Sequence, residues 1–352
     1  MIEENNNFEI NEDETQGFEE DFETDSALKR IFTKYDNNKR EIRRLGVTIG
    51  IPAIFISIVG YLWSYAYFFL TTNVAGLTSS QAIKLSENAA VQQILQILLS
   101  CIMFLLPFAI AAKCYGVRID QTIQFGKAKK GRFLPFVLFG VGFCSFSNIA
   151  MSYAEQIFQG FGIDYEVDFG DNPKGFFGFL LSFIATAIVP ALVEEFACRG
   201  IVLGLLKKFG KGFAVVSSAI IFGIMHGNFE QIPFAIFVGL ILGYVYVKTE
   251  SIWPCVIVHG INNSIAVIFT YLQNVASVNI QNVLYIVYLI ISLLAAVVGI
   301  LLFANSGEED YNLEYTEILI TEKDKYIYLF TAWPIIIFVI INFVESASYF
   351  VI

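Results

Sequence analysis

Nine stretches of this chain are apolar for long enough to enter or cross a lipid bilayer, at about 45–70, 90–112, 133–155, 175–205, 212–227, 231–248, 252–272, 282–303 and 326–346. A hydrocarbon core of roughly 30 Å takes about 20 helical residues to cross. Inside it each backbone N–H and C=O must find a partner within the protein, which a helix supplies from its own segment. The expected fold is therefore all-α, a polytopic transmembrane helical bundle of about eight or nine helices. With 56% hydrophobic residues, 15% charged residues and a mean hydropathy of +0.63, the chain lies outside the usual range of soluble proteins. The fifth and sixth stretches are the short ones. They flank a polar turn, Gly227-Asn228-Phe229-Glu230-Gln231-Ile232-Pro233, which can sit below the membrane surface where protein rather than lipid surrounds it.

The net charge of −10 is local. Residues 1–25 hold 11 of the 32 acids and no Lys or Arg, and the rest of the chain is close to neutral. Such an arm cannot bury enough apolar surface to fold alone and is expected to be disordered. Residues 26–44 turn basic and suit the anionic inner leaflet. The division expected is an acidic tail with a juxtamembrane segment over 1–44, then a transmembrane domain over 45–350. Lys39, Arg40, Arg43 and Arg44 precede the first stretch. Lys113, Arg118, Lys127, Lys129, Lys130 and Arg132 lie between the second and third, and Lys207, Lys208, Lys211 and Lys248 fall on the same side if all nine stretches cross. The excess of Lys and Arg predicts that side, and the N-terminus with it, to be cytoplasmic. The acidic loop at 157–173, with Asp164, Glu166, Asp168 and Asp171, then falls outside, and the loop at 304–325 inside. The first apolar run begins near residue 45, so no cleavable signal peptide is expected.

Against this apolar background the polar residues are few and placed in pattern. The chain has two histidines, His226 and His259, both in apolar stretches. Upstream, Glu194-Glu195-Phe196-Ala197-Cys198-Arg199 puts three ionisable residues into six positions of an apolar helix. Each costs on the order of 2.5 to 3.5 kcal/mol near the bilayer centre, so each needs a partner or a task. Positions four apart share a helix face, which pairs Glu195 with Arg199. Glu194, turned by about 100°, is left facing elsewhere. It could belong to a structural ion network, or serve as a general base in a polar cavity. His259 and Asn263 are also four apart, so an imidazole and a carboxamide project together, a pair suited to an oxyanion. His226 remains to hold an attacking water with Glu194. Cys101, Cys114, Cys144, Cys198 and Cys255 lack ligand spacing and read as packing residues. Nucleotide-binding glycine patterns, internal repeats and nucleic-acid-type basic stripes are not apparent, so nucleic acid is not an expected partner.

In chain order the sequence carries EExxxR (Glu194, Glu195, Arg199), FxxxH (Phe222, His226) and HxxxN (His259, Asn263). On these motifs the chain resembles the CPBP family of intramembrane proteases, which includes the CAAX prenyl endopeptidase and bacterial members linked to bacteriocin processing or self-immunity. The resemblance covers about 175–270. It implies a catalytic core there, with Glu194 and His226 activating water, His259 and Asn263 forming the oxyanion hole, Arg199 and Phe222 supporting, and Glu195 either ion-paired or direct. It also implies a membrane-associated peptide or protein substrate, and its immunity-linked branch points to a bacterial cell membrane.

Cofactor and function leave alternatives. A metal-free mechanism is favoured, since Asn263 stacked on His259 suits an oxyanion hole better than a zinc shell. Zinc on Glu194, His226 and His259, with Glu195 as base, is the other reading. A transporter would place ionisable residues in broken helices, but should show two related halves. A scaffold or immunity protein could use the same cavity without turnover. The sequence does not fix an oligomeric state.

Overall fold

A computed structural model describes residues 12–160, 173–305 and 319–349. These are helical, and no strand occurs among the described residues. The principal helices are α1 (Glu12–Phe69), α2 (Ser79–Ser86), α3 (Ala89–Tyr115), α4 (Phe133–Gly160), α5 (Gly175–Phe209), α6 (Lys211–Ile224), α7 (Gln231–Thr249), α8 (Trp253–Val275), α9 (Val278–Ala304), α10 (Glu322–Phe330) and α11 (Trp333–Ser348). Among the described residues, seven helices are long and apolar enough to cross a membrane, or eight if the bent pair α10–α11 is one span. The chain is a multi-pass membrane protein.

The structure revises two expectations. The fifth stretch is not a full crossing: α6 has 14 residues, about 21 Å of helix. It stops because Gly227 takes a left-handed φ of 67° and the Asn228 side chain claims the Gln231 N–H at 2.8 Å. α6 and α7 thus pack as a hairpin whose polar turn has no need to reach the far surface. The ninth stretch is not one straight span, since α10 and α11 meet at 70°. Pro334 in the first turn of α11 has no N–H to give Phe330 C=O, so the preceding helix cannot run through. Helix α1 begins at Glu12 and runs without a break into the first span. The boundary expected at residue 45 accordingly falls inside one helix.

Residues 1–11, most of the acidic loop at 157–173 and most of the loop at 304–325 lie outside the described residues.

The basic segments gather at one end of the bundle. Arg44 donates to Tyr115 C=O at 3.2 Å, and Lys208 bonds both Glu41 and the Tyr115 hydroxyl. Arg132 donates to Lys248 C=O at 2.6 Å, and Lys129 pairs with Glu250 at 2.7 Å. α10 joins the same end, where Tyr35 and Tyr328 hydroxyls meet at 2.9 Å and Lys39 lies over the Tyr328 ring.

The core is centred on the second half of α5, where residues 197–203 are all buried, with α6 and α7 against it. Small residues permit the close approaches. A Cβ at Gly239 of α7 would stand 2.9 Å from Ala219 Cα, and one at Gly142 of α4 only 2.6 Å from Ala296 N of α9. Outward faces are apolar: α9 alone presents Ile286, Ile290, Ile291, Leu294 and Leu301 to the surroundings, as a helix in lipid should.

Candidate active site

α5 is not a regular helix. It widens to π geometry at Phe183–Ile188 and again at Phe196–Leu203, on both sides of Val189–Glu195. Such wide turns inside α-helices frequently accompany functional sites, because they re-aim side chains and loosen the carbonyl ladder. Pro190 contributes directly. Having no N–H, it leaves Thr186 C=O without its i+4 partner.

The Glu195–Arg199 pair expected from the spacing is formed, at 2.9 Å, with both side chains essentially removed from solvent. Arg199 also donates to Gly239 C=O at 3.4 Å, and its guanidinium lies 4.4 Å from the Phe222 ring centroid. Phe222 in turn stands edge-on to both imidazoles, at 4.9 Å from His226 and 6.0 Å from His259. This aromatic ring is therefore a partition between cation and imidazoles as well as packing. Glu195 has a second partner that helix spacing does not reveal: its Oε1 lies 2.8 Å from His259 Nδ1, 64 residues away on α8. Glu195 lines neither cavity of the site. It is bonded to Arg199 and His259 rather than open to either cavity.

Glu194 turns away from this pair, as its position on the helix predicts, and is 17% exposed. Its Oε2 lies 3.9 Å from His259 Nε2, too far for a hydrogen bond and close enough for one water to join them. His226 sits just past the end of α6, where its Nδ1 meets Phe222 C=O at 2.9 Å. A carbonyl only accepts, so Nδ1 carries the proton and Nε2 is the free nitrogen. Asn263 donates to the Thr186 carbonyl that Pro190 has released, at 3.1 Å. Its Oδ1 accepts from Asn262 at 3.3 Å, and Asn262 Oδ1 accepts from Asn148 of α4 at 3.0 Å.

Glu194, His226, His259 and Asn263 line one cavity of about 290 Å³, together with Gln96, Thr186, Pro190, Phe222 and Gln231. A second cavity of about 240 Å³ opens on the other side of Glu194, Phe222 and His226, toward Ser57, Asn342 and Glu345 of α1 and α11. Every motif residue thus falls at or directly behind one site. Asn148, Asn262 and Thr186 were not anticipated. Their signals were available in part, as a second asparagine beside Asn263 and a proline four residues after Thr186. Cys198 is buried and borders neither cavity, in keeping with a packing role. For zinc on Glu194, His226 and His259, the Glu195 carboxylate on His259 Nδ1 would leave Nε2 as the ligating nitrogen; among the described residues no group of three or more His, Cys, Asp or Glu is placed to hold a metal ion.

The fold and site define a class: a multi-pass helical membrane protein with a Glu/His/Asn cavity walled by its own spans. Comparison with known proteins narrows it. Residues 176–265 match the family model described as type II CAAX prenyl endopeptidase Rce1-like. Among curated proteins, the chain is 32% identical over 89 residues to YdiL of Bacillus subtilis (strain 168), provisionally named a membrane peptidase. It is 31% identical over 94 residues to the membrane-embedded CAAX protease MroQ of Staphylococcus aureus (strain USA300). Each match covers 25% of this chain, and 36% and 38% of the respective relatives. No solved structure matches the chain at a significant level.

Proposed function

We propose that this protein is an intramembrane endopeptidase that hydrolyses a peptide bond with water activated by Glu194 and His226. The observation that carries the reading is the convergence of Glu194, His226, His259 and Asn263 on one cavity inside the bundle. The family domain over 176–265 and the names of both relatives support the reaction class.

The chemistry follows from the donors and acceptors. A water held between Glu194 and His226 Nε2 gives its proton to the Glu194 carboxylate as its oxygen attacks the substrate carbonyl carbon. The resulting oxyanion accepts from the second N–H of Asn263 and from His259 Nε2–H. Glu195, bonded to His259 Nδ1, orients the ring with Nε2 toward the oxyanion. Collapse of the tetrahedral intermediate breaks the C–N bond, and Glu194 returns its proton to the leaving amine. The substrate is a lipid-partitioned or membrane-anchored peptide, such as a leader or precursor, because the walls of the site are themselves membrane spans. The charged end of the bundle faces the cytoplasm, with a bacterial cell membrane as the setting.

Membranes carrying wild type or Glu194→Ala at matched expression should be compared for peptide termini by mass spectrometry. Termini present only with the wild type are expected. Identical sets, with a cellular phenotype that survives the substitution, would instead favour a binding or immunity role for the same cavity. Activity should also persist in chelator and gain nothing from added zinc; collapse with recovery on stoichiometric zinc would reverse the metal-free mechanism.

A further inference from the structure

We infer that Asn148 is a positioning residue, which fixes through Asn262 the direction in which the Asn263 amide points into the cavity. The inference rests on the protease reading for its consequence and on hydrogen-bond polarity for its geometry. A carboxamide has one end that donates and one that accepts, so a row of them has a direction. At one end of this row stands Thr186 C=O, which only accepts, and which is left without its i+4 partner because residue 190 is proline. Asn263 must therefore turn its NH₂ toward Thr186 and its Oδ1 toward Asn262. Asn262 must then donate to Asn263 and turn its own Oδ1 toward α4, where only a donor can satisfy it. Asn148 Nδ2 is that donor, at 3.0 Å. Asn262 is largely buried and also borders the cavity, so a donor fixed on α4 orients it in a way that exchangeable cavity water would not.

The consequence is catalytic. With one Asn263 N–H held by Thr186, the other is committed to the cavity that His259 also lines. If the amide turned over, its Oδ1 would face the developing oxyanion and repel it. Asn148 lies on α4, outside the matched segment 176–265, so the relay recruits a helix beyond the family domain. His259 is held from behind by Glu195 and Asn263 by Asn262, one support for each donor of the pair.

The test uses the full chain in lipid nanodiscs with a defined library of synthetic apolar 20-residue peptides bearing a quenched fluorophore pair. Asn148→Leu should lower kcat about three- to tenfold with KM and Tm nearly unchanged, since one oriented donor is lost while the helix keeps its packing. In an Asn263→Ala background, Asn148→Leu should add no further loss, and Asn148→Gln, which keeps an amide donor, should recover most of the rate. In ¹⁵N-asparagine spectra the Asn263 NH₂, identified by its disappearance in Asn263→Ala, should give two well-separated proton signals that move together in Asn148→Leu. Unchanged kcat and an unchanged pair of signals in Asn148→Leu would overturn the inference and leave the protease reading intact, as would an equal loss in the Asn263→Ala background. If no peptide is cut by the wild type but the signals respond as expected, the relay stands and the protease reading falls.

Discussion

At the scale of single residues, the site separates groups that face the cavity from groups that hold them. Glu194 lines the cavity; Glu195, one residue on, is committed to Arg199 and His259. Arg199→Met should therefore be strongly destabilising, on the order of 3 to 5 kcal/mol, because it leaves the Glu195 carboxylate buried and uncompensated. Adding Glu195→Gln should recover part of that loss, giving a double variant with a higher Tm in detergent than Arg199→Met alone. The recovered protein should still be slow, since glutamine holds the His259 ring less firmly than a carboxylate does. Half of this arrangement could be read from the sequence. The Glu195–Arg199 pair and the shared face of His259 and Asn263 are i,i+4 relations, which helix geometry fixes whatever surrounds the helix. The Glu195–His259 bond joins residues 64 apart and depends on how α8 packs on α5, so no local rule gives it.

At the scale of elements, irregularity in α5 is part of the site. Pro190→Ala restores an N–H four residues after Thr186 and sets it in competition with Asn263 for that carbonyl. The expected result is a several-fold lower kcat with equal or higher Tm, measured on the same peptide library, because alanine favours a helix interior that proline disfavours by about 3 kcal/mol. The α6–α7 hairpin supplies a second test. Gly239→Ala would set a Cβ 2.9 Å from Ala219 Cα and 3.3 Å from the Phe222 ring. It should spread the hairpin, lower Tm and slow cleavage together, whereas Gly126→Ala, with open space around it and away from both cavities, should do neither. Hydropathy located the long spans well, because length and apolarity are summed over a segment. It failed at α6 and at the α10–α11 bend, where one left-handed glycine and one proline decide where a helix stops.

At the scale of the whole molecule, the bundle has a basic end, where segments 39–44, 113–132, 207–211 and Lys248 come together through Tyr115, Glu41 and Glu250. With that end in the cytoplasm, a cysteine at Ala128 should react with a membrane-impermeant maleimide only after permeabilisation, and one at Ser80 in intact cells. The exposed Cys114 must first be removed; the opposite labelling pattern would invert the topology. The amino-acid sequence by itself determined that this chain enters lipid many times, which polar residues stand out there, and which of them share a helix face. Those properties are additive along the chain or fixed by a single helical turn. Tertiary structure alone decided that α6 stops short, that Glu195 stands behind His259, and that Asn148 on α4 reaches Asn262 on α8. These depend on how helices meet, and in a membrane that is set by small residues, single caps and individual hydrogen bonds rather than by any average over the sequence.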